Sequence, residues 1–298
     1  MAASDLAQLA DLKVWIAGSS GIGTSDDALL GRLITDISGA ITAYLGRPSL
    51  LPRAVTERYD GSGKRRLYPR QYPVLSIASL VIDDVTVPAA PAPSAGGSWL
   101  QSGYLLEPWD GAPPGGIQAI DLYGSFALGQ PRSAFVGGRQ NIAVTYTAGY
   151  QVTSEAAAVP SGGGDVAPAQ PYGPWASDQG VTYANGTPLT AIATGTPAQG
   201  QYLAKLTQSP DATPPAWTIV YTFAAADQNE SVLISYGFIP AAINNACIEW
   251  AAERYRYRTR IGQSSQTVSG QMTSAYSLKG MPDFIKASLD PFRNVTPI

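Results

Sequence analysis

The sequence contains no histidine and a single cysteine, Cys247. Histidine is the commonest general acid/base near neutral pH and the commonest metal ligand. Its absence removes histidine-based catalytic triads and Cys/His zinc sites, and one cysteine cannot form a disulfide within the chain. Charge is also scarce, at 14% of residues, below the usual quarter of a globular chain. No stretch approaches the ~20 consecutive apolar residues of a membrane helix. Nor does Met1–Leu12, with Asp5 and Asp11 and no basic start, resemble a signal peptide, so a cytoplasm-like compartment is expected.

What is abundant is Gly and Pro, 31 and 24 of 298 residues, which predicts many turns and a β-rich, loop-rich chain. The net charge of −3 is unevenly spread. Residues 1–48 carry −2, residues 49–80 carry +4, residues 81–240 carry −8 and residues 241–298 carry +3. A polyanion is therefore met locally, by the basic segments, and not by the whole surface.

The stretch DLKVWIAGSSGIGTSDDALL (11–30) spells something close to the glycine fingerprint of dinucleotide-binding dehydrogenases. That fingerprint needs a strand before its glycines. Here the preceding SDLAQLADLKVW places Leu6, Leu9 and Leu12 at helical spacing behind a capping Ser4. No βαβ alternation follows, and no Tyr has a Lys four positions later. Gly18, Gly21 and Gly23 read as a connector between helices, and no NAD(P) is expected. From Asp26 to Leu45, Leu29, Leu30, Leu33, Ile34, Ile37, Ile41, Tyr44 and Leu45 follow the helical period, with Thr24 or Ser25 as cap and Gly46 with Pro48 as stop.

Residues 49–150 change character. AVTERYDGSGKRRLYP predicts a hairpin of two short strands around Asp60-Gly61-Ser62-Gly63, and YPVLSIASLVIDDVTV predicts strands around Asp83-Asp84. A Pro/Ala/Gly linker covers 88–98, and GYLLEP, IQAIDLYG and RQNIAVTYTAGY supply further strands. Lys64, Arg65, Arg66 and Arg70 sit on or beside the first hairpin, either as a solvated edge that discourages aggregation or as a polyanion or partner contact.

Residues 151–236 read as an insertion. SEAAAVPSGGGDVAPAQPYGP has the composition of a linker, and four evenly spaced strand patterns follow, with Asn185-Gly186 as a turn. Lys205 is the only basic residue of the segment, which argues against a nucleic-acid role for it. Helix resumes after Pro240 and runs toward Gly262, with Ile243, Cys247, Trp250 and Ala251 as its apolar stripe. On that helix Arg254 and Arg258 extend the stripe, while Arg256 and Arg260 point away. The tail begins polar and ends in MPDFIKASLDPFRNVTPI, a short amphipathic helix.

The order of these pieces resembles the head–tail connector (adaptor) proteins of long-tailed double-stranded DNA bacteriophages. The resemblance rests on LADLKVWIAG, DDALLGRLITDISGAITAYLGRP, ERYDGSGKRRLYPRQYPVLSI, NIAVTYTAGY, IPAAINNACIEWAAERYRYRTRIGQSSQ and MPDFIKASLDPFRNVTPI, about 210 of the 298 residues. It implies an α+β fold: a helical core of N-terminal helices (1–48) and a C-terminal helix (237–262), with antiparallel hairpins (49–150). Into this core a small β module (151–236), similar to modules of other phage virion proteins, is inserted, and an extended docking tail (263–298) follows.

The function it implies is structural, without catalysis, cofactor, metal or membrane. Such a subunit joins about a dozen copies of itself in a ring, the kind of closed assembly that head-to-tail interfaces make. That ring sits under the portal protein at the head–tail junction of the virion and is assembled in the host bacterial cytoplasm. It extends the DNA channel and carries the next neck or tail component, a stopper or tail terminator. Arg254, Arg258, Phe284, Ile285, Leu289 and Phe292 are the expected partner-binding residues. Lys64, Arg65, Arg66 and Arg70 are the expected contacts to a neighbouring subunit or, non-specifically, to packaged DNA.

Two other readings carry named residues. A carbohydrate- or receptor-binding virion protein would stack sugars on Trp175, Tyr183, Tyr202 and Trp217, side chains that the bland reading puts in a sheet core. An enzyme would pair Glu107, Asp110 and Asp121 as a glycosidase acid and base.

Overall fold

A computed structural model of the chain describes residues 5–17, 23–90, 102–108, 118–123, 134–208, 217–258, 265–268, 272–275 and 280–294. The fold is α+β, with antiparallel-rich sheets. The chain divides into two compact units, residues 1–48 with 152–293 and residues 49–151 with 294–298.

The first unit contains the helices. α1 (Leu9–Ala17) buries Leu12, and α2 (Asp27–Leu45) follows a short 3-10 turn at Thr24–Asp26. A helix therefore stands before the glycine connector, whose residues 18–22 lie outside the described residues. The α2 stripe narrows to Leu30, Ile34, Ile37, Ile41 and Leu45, all at 0–4% exposure, while Leu29 falls off it at 39%. Each such burial contributes about 1.5–3 kcal/mol. Thr24–Leu45 is long and apolar enough by length and composition to cross a membrane. Its buried stripe packs on α3 (Ala241–Tyr257). Gly46 ends α2 in the left-handed conformation (φ 64°) that glycine adopts without strain, and Arg47 N–H returns to the Thr42 carbonyl at 3.2 Å.

α3 buries the expected Ile243, Cys247, Trp250 and Ala251, and also the polar Asn244, as α2 buries Ser38. Leu6 is the reason: its N–H donates to Ser38 Oγ of α2 (2.9 Å), and its carbonyl accepts from Asn244 Nδ2 of α3 (2.9 Å). One residue ahead of α1 thereby ties three segments together, and its backbone groups are satisfied away from water. α4 (Asp283–Leu289) packs on α3 through Ile285 and Leu289, both fully buried.

The rest of this unit is β structure. β8 (Gln151–Ala158), β10 (Trp175–Tyr183) and β14 (Ser231–Phe238) form a sheet ordered β10-β14-β8. β9 (Gly164–Val166), β11 (Thr190–Ala191), β12 (Gln201–Gln208) and β13 (Trp217–Phe223) form another, ordered β11-β12-β13-β9. The supposed linker at 154–174 thus holds most of β8 and all of β9. Its small residues suit an edge strand, and β14 supplies the hydrogen bonds that composition does not reveal. Asn185-Gly186 does turn the chain, with Gly186 at φ 88°. β15 (Ser265–Val268) and β16 (Met272–Ala275) pair as a hairpin inside the region expected to be extended.

The second unit is two sheets around one core. β1 (Arg53–Gly61), β3 (Val74–Ile82), β4 (Val85–Val87) and β7 (Gly138–Ala148) are ordered β1-β7-β3-β4. β2 (Arg66–Leu67), β5 (Gly103–Glu107) and β6 (Ala119–Tyr123) are ordered β2-β6-β5. Leu80, Ile82, Ile142, Val144 and Tyr146 of the first sheet meet Ile120 and Leu122 of the second, with Phe135 between. Asp83 (φ 47°) and Asp84 (φ 63°) make the tight β3–β4 turn, as expected. The expected β1–β2 hairpin is not formed: β1 pairs with β7, and β2 pairs with β6 in the other sheet. The Gly-rich stretch between them is a crossing from one sheet to the other.

Candidate functional site

That crossing carries the basic residues. Its backbone is clasped on both sides, because Gly63 N–H donates to the Phe135 carbonyl (2.7 Å), Phe135 N–H to the Lys64 carbonyl (2.8 Å) and Leu122 N–H to the Arg65 carbonyl (3.0 Å). With the backbone satisfied, the side chains project from a fixed frame.

The four cations are not equivalent. Arg66 is held bidentately by Asp121, Nε to Oδ1 and Nη2 to Oδ2, both at 2.7 Å. Asp121 is 8% exposed and Arg66 49%, so the carboxylate is the buried partner. This pairing raises the already high pKa of Arg66. Arg65 lies over the Tyr123 ring at 3.9 Å, and the Tyr123 hydroxyl donates to Glu107 Oε1 at 2.9 Å. Arg70 lies over the Tyr59 ring at 4.9 Å. Tyr59 is itself fixed: its hydroxyl accepts from Arg70 N–H (3.0 Å) and donates to Glu57, which also receives the Tyr146 hydroxyl (2.7 Å). Burial first, and the Glu57 carboxylate second, push both phenols above the usual tyrosine range. Lys64 is exposed. Among the described residues no carboxylate ion-pairs with Lys64, Arg65 or Arg70.

The end of α3 is a second cluster. Arg258 Nη1 donates to Asp26 Oδ2 at 3.1 Å and its guanidinium covers the Tyr255 ring at 3.9 Å. The Tyr255 hydroxyl donates to the same Asp26 oxygen, and it, with the guanidinium, holds the Asp26 carboxyl below its ordinary range. Arg254 reaches the Gly280 carbonyl at 3.4 Å and stands 5.9 Å from the Trp250 ring. Arg254 and Arg258 do follow the packing face, but the carboxylate that receives Arg258 belongs to the chain's own α2 entry and not to a neighbour. Arg256 is exposed, and Arg260 lies outside the described residues. Of the tail anchors, Ile285 and Leu289 are already buried on α3, Phe292 is half-buried and Phe284 is 54% exposed. Asp290 holds α4 to α2 by accepting from the Tyr44 hydroxyl at 2.6 Å.

No family model and no curated protein matches the sequence. The site is therefore read from its own chemistry.

The start of α2 cannot serve as a phosphate cradle. Asp26 and Asp27 occupy its positive end, and Lys13 of α1 closes on Asp27 at 2.8 Å across the connector. Of the aromatic residues named for sugar stacking, Trp175, Tyr183 and Tyr202 are engaged within the module. Tyr202 is 2% exposed, Tyr183 donates to the buried Asp227 (2.8 Å), and Trp175 Nε1 donates to the Tyr221 hydroxyl (3.0 Å). Tyr202 and Tyr221 both donate to Asp178, at 2.5 and 3.2 Å, which links the two sheets. The Trp217 side chain lies outside the described residues. Of the glycosidase candidates, Asp121 is engaged by Arg66 and Glu107 by Tyr123, while Asp110 lies outside the described residues. Sequence reasoning missed these tyrosine–carboxylate pairs. Their one signal is composition, 16 Tyr beside 22 acidic residues and few lysines.

Proposed function

We propose that the chain is a non-enzymatic ring subunit of a phage head–tail connector, seated under the portal and carrying the next neck or tail component. One observation carries this reading: α1 and α2, from the first 48 residues, form one helical layer with α3 and α4, from residues after 240. Among the described residues the elements between them are strands, apart from a 3-10 turn at Ala225–Asp227, which is the arrangement that the resemblance of the two ends implies. The polar groups point the same way. Carboxylates and phenols are spent on one another to stiffen the sheets, as a load-carrying subunit needs. Phe284 is the tail anchor that stays accessible in the free subunit, whereas Ile285 and Leu289 reach a partner only if α4 leaves α3.

The test is electron microscopy and light scattering of the full chain, alone and mixed with its portal ring. Closed rings, or a ring added to the portal, are expected. A chain that stays monomeric at high concentration and leaves the portal unchanged refutes the reading.

A further inference from the structure

We infer that α1 of one copy docks on the outer face of the β1-β7-β3-β4 sheet of a second copy, where Asp11 and Trp15 receive Arg58. The inference deepens the connector reading and rests on it only for the closing of such head-to-tail contacts into a ring.

α1 packs on α2 and α3 and buries Leu12 there. Another side of it is uncovered: Trp15 is 54% exposed and Val14 37%. Asp11 precedes them by four and three residues, which places all three on one stretch of helix surface. Its carboxylate is half-buried and has no ion-pair or hydrogen-bond partner among the described residues. That burial pushes the carboxyl above its ordinary pKa. One exposed aromatic is ordinary on a protein surface. A tryptophan beside a partly desolvated, unpaired carboxylate suits a guanidinium, which pairs with the carboxylate and lies over the indole.

The second unit presents a surface that matches. Tyr59, Ile142, Val144, Leu80 and Ile82 of its first sheet face the core, so the alternate residues face outward. The register sets Arg58, Ala143 and Val81 in one outward row, and Thr56, Thr145 and Ser79 in the next. The Thr56 and Thr145 hydroxyls share a hydrogen bond of 3.1 Å, which fixes both on the same side. Each residue of the two rows is exposed or half-buried. Small side chains make this face flat, with room for a projecting indole. Arg58 stands on its edge strand, exposed and with no carboxylate paired to it among the described residues.

Charge selects the occupant. A symmetric contact of α1 on α1 would bring two Asp11 carboxylates together where water is partly excluded, which like charges disfavour. Residues 1–48 carry −2 and residues 49–80, which hold Arg58, carry +4, so the unlike faces attract. Both faces are present in every copy, and the chain therefore supplies its own partner. A contact between two different faces is heterologous, and its repetition closes into a ring when the rotation allows. Trp and Arg are also the residue types that most often anchor interfaces.

Sedimentation velocity and electron microscopy of the full chain test the contact. Trp15→Ala, Asp11→Arg and Arg58→Asp should each weaken self-association by about 30-fold or more. Their thermal melts should change little, because none of the three side chains is in the core. Asp11→Arg combined with Arg58→Asp in one chain rebuilds the pair with its charges exchanged and should recover association. The decisive sample mixes Trp15→Ala chains with Arg58→Asp chains. Each keeps the face that the other lacks, so the mixture should give one-to-one dimers that grow no further, while either variant alone stays monomeric. Rings that persist in all three single variants, or a mixture without dimers, overturn the inference and leave the connector reading standing. A wild-type chain that assembles through these faces without closing supports the contact and counts against the connector reading. A wild-type chain that stays monomeric at high concentration overturns both.

Discussion

Breaking the Arg66–Asp121 pair from its two sides should give unequal costs. Arg66→Ala leaves a carboxylate at a site only 8% exposed, with two hydrogen bonds of 2.7 Å unmade. Stranding a fully buried charge costs about 3–5 kcal/mol, and exposed pairs contribute less than about 1 kcal/mol. Arg66 is half in water, which screens the interaction, so a cost of about 2–3 kcal/mol is expected. Asp121→Asn removes the buried charge itself and returns the guanidinium to solvent, where it is well hydrated. An amide can still accept one of the two hydrogen bonds, and the expected cost is about 1 kcal/mol. Urea unfolding monitored by amide exchange in β5 and β6 reads the second unit without averaging over the first. If Asp121→Asn proves as costly as Arg66→Ala, the carboxylate is not the stranded partner and the assignment of burial fails. Added salt should leave the difference nearly intact, because screening is weak at the buried oxygen atoms.

Asn244→Ala should cost about 1–3 kcal/mol and accelerate exchange around Leu6, whose carbonyl loses its partner; unchanged stability in urea would refute the clamp. Ile285→Ala should cost about 2–5 kcal/mol of the α4–α3 contact. It should also open α4 itself to protease, whereas Phe284→Ala should do neither. Burial pushes the Cys247 thiol from its ordinary 9.0 up to about 12, with the Ser38 hydroxyl opposing the shift. A raised folded-state value means stability present below pH 9 and lost as pH rises from about 9 toward about 12, and the thiol should resist alkylation at pH 8 until urea is added. Tyr183→Phe should destabilise the β module by about 1–3 kcal/mol by leaving the buried Asp227 short of a donor.

Local patterns were legible wherever the partner of a residue lies within a few positions. The apolar period of α2, the Gly46 stop, the Asp83-Asp84 turn and the α3 stripe all depend on one stretch of chain, and each stands where its spacing predicts. The β1–β2 hairpin was misread because adjacency and a glycine turn favour local pairing. The true partner of Arg66 is Asp121, 55 residues away, and nothing in periodicity marks it. β8 was hidden for a related reason: an edge strand takes its order from β14, so alanines and a serine suffice. The candidate site shows the same division. Residue types told that Lys64, Arg65, Arg66 and Arg70 form a basic cluster. Which of them is already paired, and which lies on an aromatic ring, is decided by strands distant in sequence.

The meeting of α2 with α3 also sets a timetable for synthesis. Roughly 200 residues separate the end of one from the start of the other, and at about 5–20 residues per second the ribosome needs on the order of 10–40 s to make them. For that interval Leu30, Ile34, Ile37 and Ile41 have no α3 to cover them. Leu6 likewise waits for Asn244. The nascent helix therefore spends most of translation as an amphipathic segment in need of a temporary cover. Aggregation during expression should track the availability of holding chaperones more than the stability of the finished fold.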